Sequence, residues 1–233
     1  MKKLMVMFVY NEPALFVGDY LVIADLHIGI SREMAKAGVS LPSQIAGLSA
    51  KLNGLKKQTN TKNLLVAGDF KHSIPWISYA EQREVPEILR RLDFEKIIIT
   101  KGNHDGRIET LIDDNERIMV RKSFSVDDYI FTHGHRNIAT NKGTIVIGHN
   151  HPGIKFRDRF GAIYVEPAWI LGKVELEKTH DLIIMPAFNE LSGKGPVNET
   201  KQFMGPIARH IRDARAVLLD GTDLGPIRDL AMK

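Results

Sequence analysis

The chain has 233 residues, 43% hydrophobic and 26% charged, a composition that fits one large folded domain with a full core. It contains no cysteine, which excludes disulfides and thiolate metal sites and fits a reducing cytoplasm, and it has no apolar stretch of 18 residues or more that would span a membrane. The formal net charge of +4 favours an anionic partner, phosphate or nucleic acid, over a cationic one.

The N-terminus starts like a signal peptide, but Tyr10-Asn11-Glu12-Pro13 interrupts the apolar run and no small-residue cleavage site follows. Leu4 to Val9 therefore reads as a strand, and so does Tyr20 to Ala24. Ile45, Leu48, Leu52 and Leu55 recur at helical spacing, with Pro42 near the first turn. Leu64 to Ala67 is a short strand. A helix ending at Leu92 uses Ile88, Leu89 and Leu92; Ser78 and Glu81 have capping-box spacing, and Pro86 demands a kink or a later start. Ile97 to Thr100 is the next strand. This alternation implies a parallel or mixed sheet with helices on its faces.

From Arg117 onward the pattern turns β-rich. Strands are expected at Arg117 to Val120, Ser123 to Val126, Tyr129 to Thr132, Thr144 to Ile147, Ala162 to Val165 and Lys173 to Glu177, with Asp127-Asp128 as a tight turn. They suggest a second sheet packed on the first. Residues 186–210, with three prolines and three glycines, read as an irregular excursion over the surface, and Ala214 to Leu219 as a last strand. The expected organisation is one domain over 1–233, with an irregular C-terminal extension over 186–233.

Five motifs occur in order: Asp25-Leu26-His27, Gly68-Asp69, Gly102-Asn103-His104-Asp105, Thr132-His133-Gly134-His135 and Gly148-His149-Asn150-His151. They hold or adjoin seven of the nine histidines. Asp25, Asp69, Asn103 and His149 each follow an apolar strand, so they should converge at the carboxyl edge of the sheets. In Asp-x-His an extended segment points both side chains the same way, and His149 and His151 share that spacing. A turn carboxylate or a satisfied core histidine accounts for any one motif. It does not account for five in order, each placed after a strand.

Two carboxylates, one carboxamide and several imidazoles form a ligand set for a pair of divalent ions. Mixed oxygen and nitrogen donors suit Mn²⁺, Fe²⁺, Co²⁺ or Zn²⁺ better than Ca²⁺. With Asp25, Asp69 and a bridging hydroxide offsetting two dications, one net positive charge is left to hold a phosphate. Such a pair clamps the attacking and leaving oxygens of an in-line displacement and brings the pKa of bridging water down to about 7.

This pattern resembles the calcineurin-like metallophosphoesterase superfamily over residues 25–151. The resemblance implies a four-layer αββα sandwich of two mixed β-sheets flanked by helices. It implies that Asp25, His27, Asp69 and His151 hold one metal and Asp69, Asn103, His133 and His149 the other, with Asp69 bridging. Manganese is the favoured ion, with iron, zinc, cobalt and nickel as alternatives. It implies further that His104 faces the substrate and protonates the leaving oxygen or stabilises its charge, and that His133 rather than His135 is the ligand, with His135 left to line the site.

The chain departs from that pattern at one place. Many relatives read Gly-Asp-x-x-Asp, where the second Asp orients the catalytic histidine; here the position is His72. His104 would then be oriented by Asp105, by backbone or by His72. Lys71, His72, His135 and Arg136 are the candidate substrate contacts. Lys155 and Arg157-Asp158-Arg159 could also bind a phosphate backbone, and a solvated loop explains them equally well.

A narrower resemblance adds Gly29, Gly38, Leu41-Pro42, Pro152 and Pro186-Ala187-Phe188-Asn189. It points to a prokaryotic branch of predicted phosphoesterases that includes ligase-associated DNA damage response endonucleases. Pro186-Ala187-Phe188-Asn189 carries no ligand chemistry, and packing is its favoured role. The expected activity is hydrolysis of phosphodiesters, DNA or a nucleotide among them. The alternatives are a phosphomonoesterase acting on small phosphorylated metabolites and a non-catalytic scaffold of the same fold. The oligomeric state is open, a homodimer among the options.

Overall fold

The computed structural model describes residues 5–113 and 116–230. Leu4, the first residue of the first expected strand, lies outside them.

One sheet has six strands in chain order: β1 (Met7–Phe8), β2 (Leu15–Val17), β3 (Tyr20–Ile23), β4 (Asn63–Val66), β5 (Lys96–Thr100) and β6 (Ile118–Arg121). β3 to β6 run parallel, and β1 and β2 form an antiparallel edge. Between these strands lie the helices α1 (Ile30–Lys36), α2 (Ile45–Thr59) and α3 (Tyr79–Arg91).

The central strands carry unbroken apolar runs, Leu21-Val22-Ile23, Leu64-Leu65-Val66 and Ile97-Ile98-Ile99, because both faces are buried. Leu21, Ile23, Leu64, Val66, Ile97 and Ile99 pack against Ile45, Leu52 and Leu55 of α2 and Val85, Ile88 and Leu89 of α3. The alternate residues Val22, Leu65 and Ile98, with Ala24 and Ala67, face Phe131, Val146, Trp169 and Met185 of the second sheet.

The second sheet comprises β7 (Phe124–Val126), β8 (Tyr129–Thr132), β9 (Thr144–Ile147), β10 (Pro152–Arg157), β11 (Ile163–Glu175), β12 (Thr179–Ile184) and β13 (Gly195–Pro196). Its order is β13-β10-β11-β12-β9-β8-β7, and β14 (Arg212–Leu218) with β15 (Asp223–Pro226) attaches beside β11. β8, β9 and β12 are parallel. Its outer face, with Ile145, Ile147, Ile170, Leu182 and Ile184, is covered by Val197 of α4 (Val197–Thr200) and by Ile207 and Ala208 of α5 (Gly205–Ala208). The layers are thus helix, sheet, sheet and a thin layer of helical turns, the four-layer sandwich of two mixed sheets that was expected.

Three expectations need correction. The separate strands at 162–165 and 173–177 are one 13-residue strand, β11. Pro167 and Gly172 suggest a break, but Ala168, Trp169 and Ile170 between them are buried and pair with β14. α3 has no later start: it begins at its capping box, where the Ser78 hydroxyl accepts from the Glu81 N–H at 3.3 Å, and continues past Pro86 to Arg91. The guanidinium of Arg117 then donates to the carbonyls of Leu89 and Leu92 at that helix end. Residues 186–210 are not a surface excursion, as their contacts at the cleft show below.

Candidate metal centre

Five parallel strands deliver the motif residues to one edge: β3 to Asp25, β4 to Asp69, β5 to Asn103, β8 to His133 and β9 to His149. The loops after β3 and β4 run side by side, with Asp25 N–H donating to the Gly68 carbonyl at 3.1 Å and His27 N–H to the Asp69 carbonyl at 2.9 Å.

These loops are not extended, as the Asp-x-His spacing had suggested. Asp25, His27, Asp69, His149 and His151 have φ of 58°, 46°, 48°, 71° and 42°, all in the left-handed region. Each such non-glycine residue costs about 1–2 kcal/mol, and the surrounding strands hold all five in place. The bends fold short segments over the strand ends, so residues two apart still converge. Glycines leave room for this. A Cβ on Gly102 would lie 2.0 Å from Asp69 Oδ1, and one on Gly148 would lie 2.7 Å from Asp25 Oδ2.

Among the described residues, three groups of side chains bring ligand atoms within 4.8 Å of one another: Asp25, His27 and His151; Asp69, His133 and His149; and His27, His72 and His104. His27 Nε2 is 3.3 Å from His151 Nε2, which is 3.4 Å from Asp25 Oδ1. His133 Nε2 is 3.0 Å from Asn103 Oδ1 and 3.2 Å from Asp69 Oδ2. Asp69 Oδ2 lies 3.7 Å from His27 Nε2 as well, so one carboxylate oxygen faces both of the first two groups.

The electrostatics favour cations. Burial pushes the Asp25 carboxyl up, but His151 and His133 outweigh it and hold it below the ordinary carboxylate range. Asp69 is held low in the same way, chiefly by His133. Burial pulls His27 down to about 3 and His149 to about 4, leaving free lone pairs. Burial also opposes charge on His133, yet Asp69 and Asp25 raise it to about 9. The neighbouring carboxylates, Asp25 foremost, raise His151 as well, against its burial. Two buried, ionised carboxylates beside the neutral His27 and His149 suit divalent cations, which would displace the protons of His133 and His151, and the first two groups supply the mixed nitrogen and oxygen donors for them.

His104 lies on the cleft with its side chain 21% exposed. Its Nδ1 faces the carbonyl oxygen of His72, and its backbone N–H donates to Asp69 Oδ1 at 2.9 Å. Of the three ways of orienting it, backbone and His72 coincide: the carbonyl is that of His72, whose ring also stacks on the His104 ring. Asp105 does not touch the His104 ring. It is fully buried, and its oxygens accept from the backbone N–H of Lys71 at 3.1 Å and of Gly102 at 2.8 Å. Burial raises its carboxyl to about 6.

Lys71, expected among the substrate contacts, is turned into the protein. It is wholly buried, donates to the Ser73 carbonyl at 2.5 Å and lies 3.9 Å from Glu81 Oε1. His72 turns Nδ1 toward His27 Nδ1 at 3.2 Å. The His135 ring lies 5.2 Å from that of His133, and its buried Nδ1 has no hydrogen-bond partner. Arg136 beside it is exposed. Lys155 is committed to Glu199 at 2.9 Å. Arg157-Asp158-Arg159 begins at the far end of the six-residue β10, roughly 20 Å of strand from the motif.

The wall that sequence reasoning missed comes from 186–205. Phe188 N–H donates to the Ala24 carbonyl at 2.8 Å, and Asn189 Nδ2 to the Leu26 carbonyl at 2.8 Å, so the segment crosses between the sheets and clamps the chain beyond β3. Ser192 then accepts from His151 Nδ1 at 3.1 Å. Asn150 accepts the Met204 N–H at 2.7 Å, and Lys194 and Met204 line the cleft. Asn150, between the two histidines of its motif, was the available signal.

The calcineurin-like phosphoesterase profile matches residues 18–203. No curated protein matches the chain closely in sequence. Among solved structures, the Pseudomonas putida nuclease MPE is similar over 93% of this chain and 97% of its own, at 20% identity and TM-score 0.55. The E. coli phosphoesterase YfcE is similar over 88% and 96% at 14% identity and TM-score 0.41, too distant to carry an argument. No helix among the described residues is long and apolar enough to cross a membrane. With the profile covering most of its length and its motif residues gathered at one cleft, the chain belongs to the calcineurin-like phosphoesterase family.

Proposed function

We propose that this phosphoester hydrolase is a dinuclear, manganese-favouring phosphodiesterase that acts on nucleic acid or nucleotide diesters. The single observation that carries the dinuclear reading is the position of Asp69 Oδ2, within 3.7 Å of His27 Nε2 and 3.2 Å of His133 Nε2, between two separate ligand groups. Asp25, His27 and His151 with Asp69 would hold one cation, and Asn103, His133 and His149 with Asp69 the second. When bound, the pair would supply a hydroxide nucleophile at neutral pH and neutralise charge on the phosphoryl oxygens.

The remaining steps belong to the chain. Asp69 Oδ1 fixes the backbone of His104, and the His72 carbonyl fixes its Nδ1–H. In its imidazolium form His104 carries its second proton on Nε2, on the cleft side, where it can pass to the departing ester oxygen. Ser192 holds His151 by Nδ1, which leaves Nε2 for the carboxylate side. The diester preference is supported by the net charge of +4 and by the likeness to a nuclease, at 20% identity.

The test compares bis-p-nitrophenyl phosphate, p-nitrophenyl phosphate and single-stranded DNA with Mn²⁺-loaded protein. Faster turnover of the diester is expected. Faster monoester turnover would reverse the preference, and no turnover of any of the three would end the proposal.

A further inference from the structure

We propose that the His72 imidazole is a positioning residue for the metal centre: its Nδ1 accepts the Nδ1–H of His27 and thereby fixes the tautomer in which His27 Nε2 presents a lone pair to the carboxylates. This inference rests on the reading of His27 as a cation ligand.

The two Nδ1 atoms are 3.2 Å apart, an N–H···N distance that accommodates one proton and not two. His27 Nε2 is the atom that faces His151 Nε2 at 3.3 Å and Asp69 Oδ2 at 3.7 Å, on the side of the ligand groups. A neutral imidazole holding a cation through Nε2 carries its proton on Nδ1. His27 is then the donor and His72 the acceptor, and the proton of His72 sits on its own Nε2.

The acceptor is held in place from several directions. The backbone N–H of His72 donates to Glu81 Oε1 at 2.9 Å, and that of Ser73 donates to the same oxygen at 2.6 Å. Glu81 is fully buried and anchored by the α3 capping box. The His72 ring stacks on that of His104, with centroids 5.5 Å apart and planes 24° from parallel. Stacking leaves its in-plane Nδ1 free for His27. Its carbonyl meanwhile holds His104 Nδ1, so one residue serves a metal ligand with its ring and the proton donor with its backbone. A variant at 72 leaves the backbone contact in place and removes only the ring.

Asparagine and aspartate place an acceptor oxygen on Cγ, where histidine places Nδ1; alanine places none. Calorimetric titration of cation-free full chain with Mn²⁺ compares the wild type with His72→Ala, His72→Asn and His72→Asp. The wild type is expected to take up two ions. His72→Ala should weaken one of the two sites by roughly 10–100-fold, the usual effect of losing a hydrogen-bond partner behind a ligating histidine. His72→Asn should recover most of that loss, and His72→Asp should bind at least as tightly as the wild type. A second readout is ¹⁵N NMR of zinc-loaded protein, with the His27 Nδ1 proton in slow exchange in the wild type and His72→Asn, and in fast exchange in His72→Ala.

Full affinity in His72→Ala would overturn the inference, and so would an Asn variant as weak as the Ala variant. A third bound ion that vanishes in His72→Ala would make His72 a ligand and would also overturn it. A wild type that takes up no cation would instead overturn the functional reading and this inference with it, a result distinct from wild-type binding that is indifferent to residue 72.

Discussion

Asp69 and His104 are joined by a 2.9 Å hydrogen bond from the His104 backbone N–H to Asp69 Oδ1, which leaves Oδ2 facing the ligand groups. The carboxylate between the two groups is therefore also a support for His104. Asp69→Asn keeps an acceptor for the N–H and removes the charge. It is expected to fold, to bind at most one Mn²⁺ and to lose diester turnover. Metal content by elemental analysis, beside the assay, checks this; two retained ions would contradict it.

His104→Ala removes the proposed proton donor to the leaving oxygen and no member of the first two groups. Metal content should stay at the wild-type value while turnover falls on the order of 10²-fold or more. Full activity would remove His104 from the mechanism. The loss should be smaller with a leaving group that departs without protonation, which a series of substituted phenyl esters would read.

The buried histidines give the cation-free protein a peaked pH profile. His133 is raised to about 9, above an unfolded value near 6.5, so its contribution is full below 6.5 and is lost as pH rises through 9. His27 and His149 are lowered to about 3 and about 4, so theirs is full above 6.5 and falls as pH drops toward those values. In chelator, Tm should decline on both sides of neutrality. With Mn²⁺ bound the alkaline limb should flatten, because a ligating His133 carries no proton at the cation. For the same reason, cation uptake near pH 7.5 should release protons, measurable by calorimetry in buffers of different ionisation enthalpy.

Gly102→Ala places a Cβ 2.0 Å from Asp69 Oδ1, whereas a Cβ on Gly106 meets nothing within 4 Å. Ala at 102 should cost about 1–3 kcal/mol of stability and reduce metal content with it. Gly106→Ala is the control and should match the wild type in both. Urea unfolding and elemental analysis separate the two.

Lys71→Met tests whether the buried ammonium is structural. It removes the counter-charge 3.9 Å from Glu81. A buried carboxylate left without one costs up to about 3–5 kcal/mol, a loss reduced here by the His72, Ser73 and Ser78 N–H groups that still donate to it. A clear fall in the urea midpoint is expected at unchanged KM for the diester. A raised KM with unaltered stability would return Lys71 to substrate binding.

The convergence of the motif residues was legible in the sequence because each motif follows a strand buried on both faces. Leu64-Leu65-Val66-Ala67 and Ile145-Val146-Ile147 can be little else, and a polar residue after such a run emerges at the sheet edge. The layers were legible for the same reason. β10 and β12 were harder to see. Pro152-Gly153 opens β10, and Thr179, Asp181 and the buried His180 interrupt β12, so neither shows a clean apolar run. The burial of Lys71 and Asp105 was not legible because burial of a charge depends on its partners in the fold: Glu81 in one case, the backbone of Lys71 and Gly102 in the other.

The order and chemistry of Asp25, His27, Asp69, Asn103, His133, His149 and His151 determined the family, since ligand identity is a property of side chains that local context cannot alter. Tertiary structure alone decided how they meet. Left-handed bends at five of these residues, the room left by Gly102 and Gly148, and the clamp of Phe188 and Asn189 set distances among atoms brought together from separate strands. A hydrogen bond such as that between the rings of His27 and His72, 45 positions apart, exists only after β3 and β4 have paired, because strand pairing and not local propensity fixes the two loops side by side.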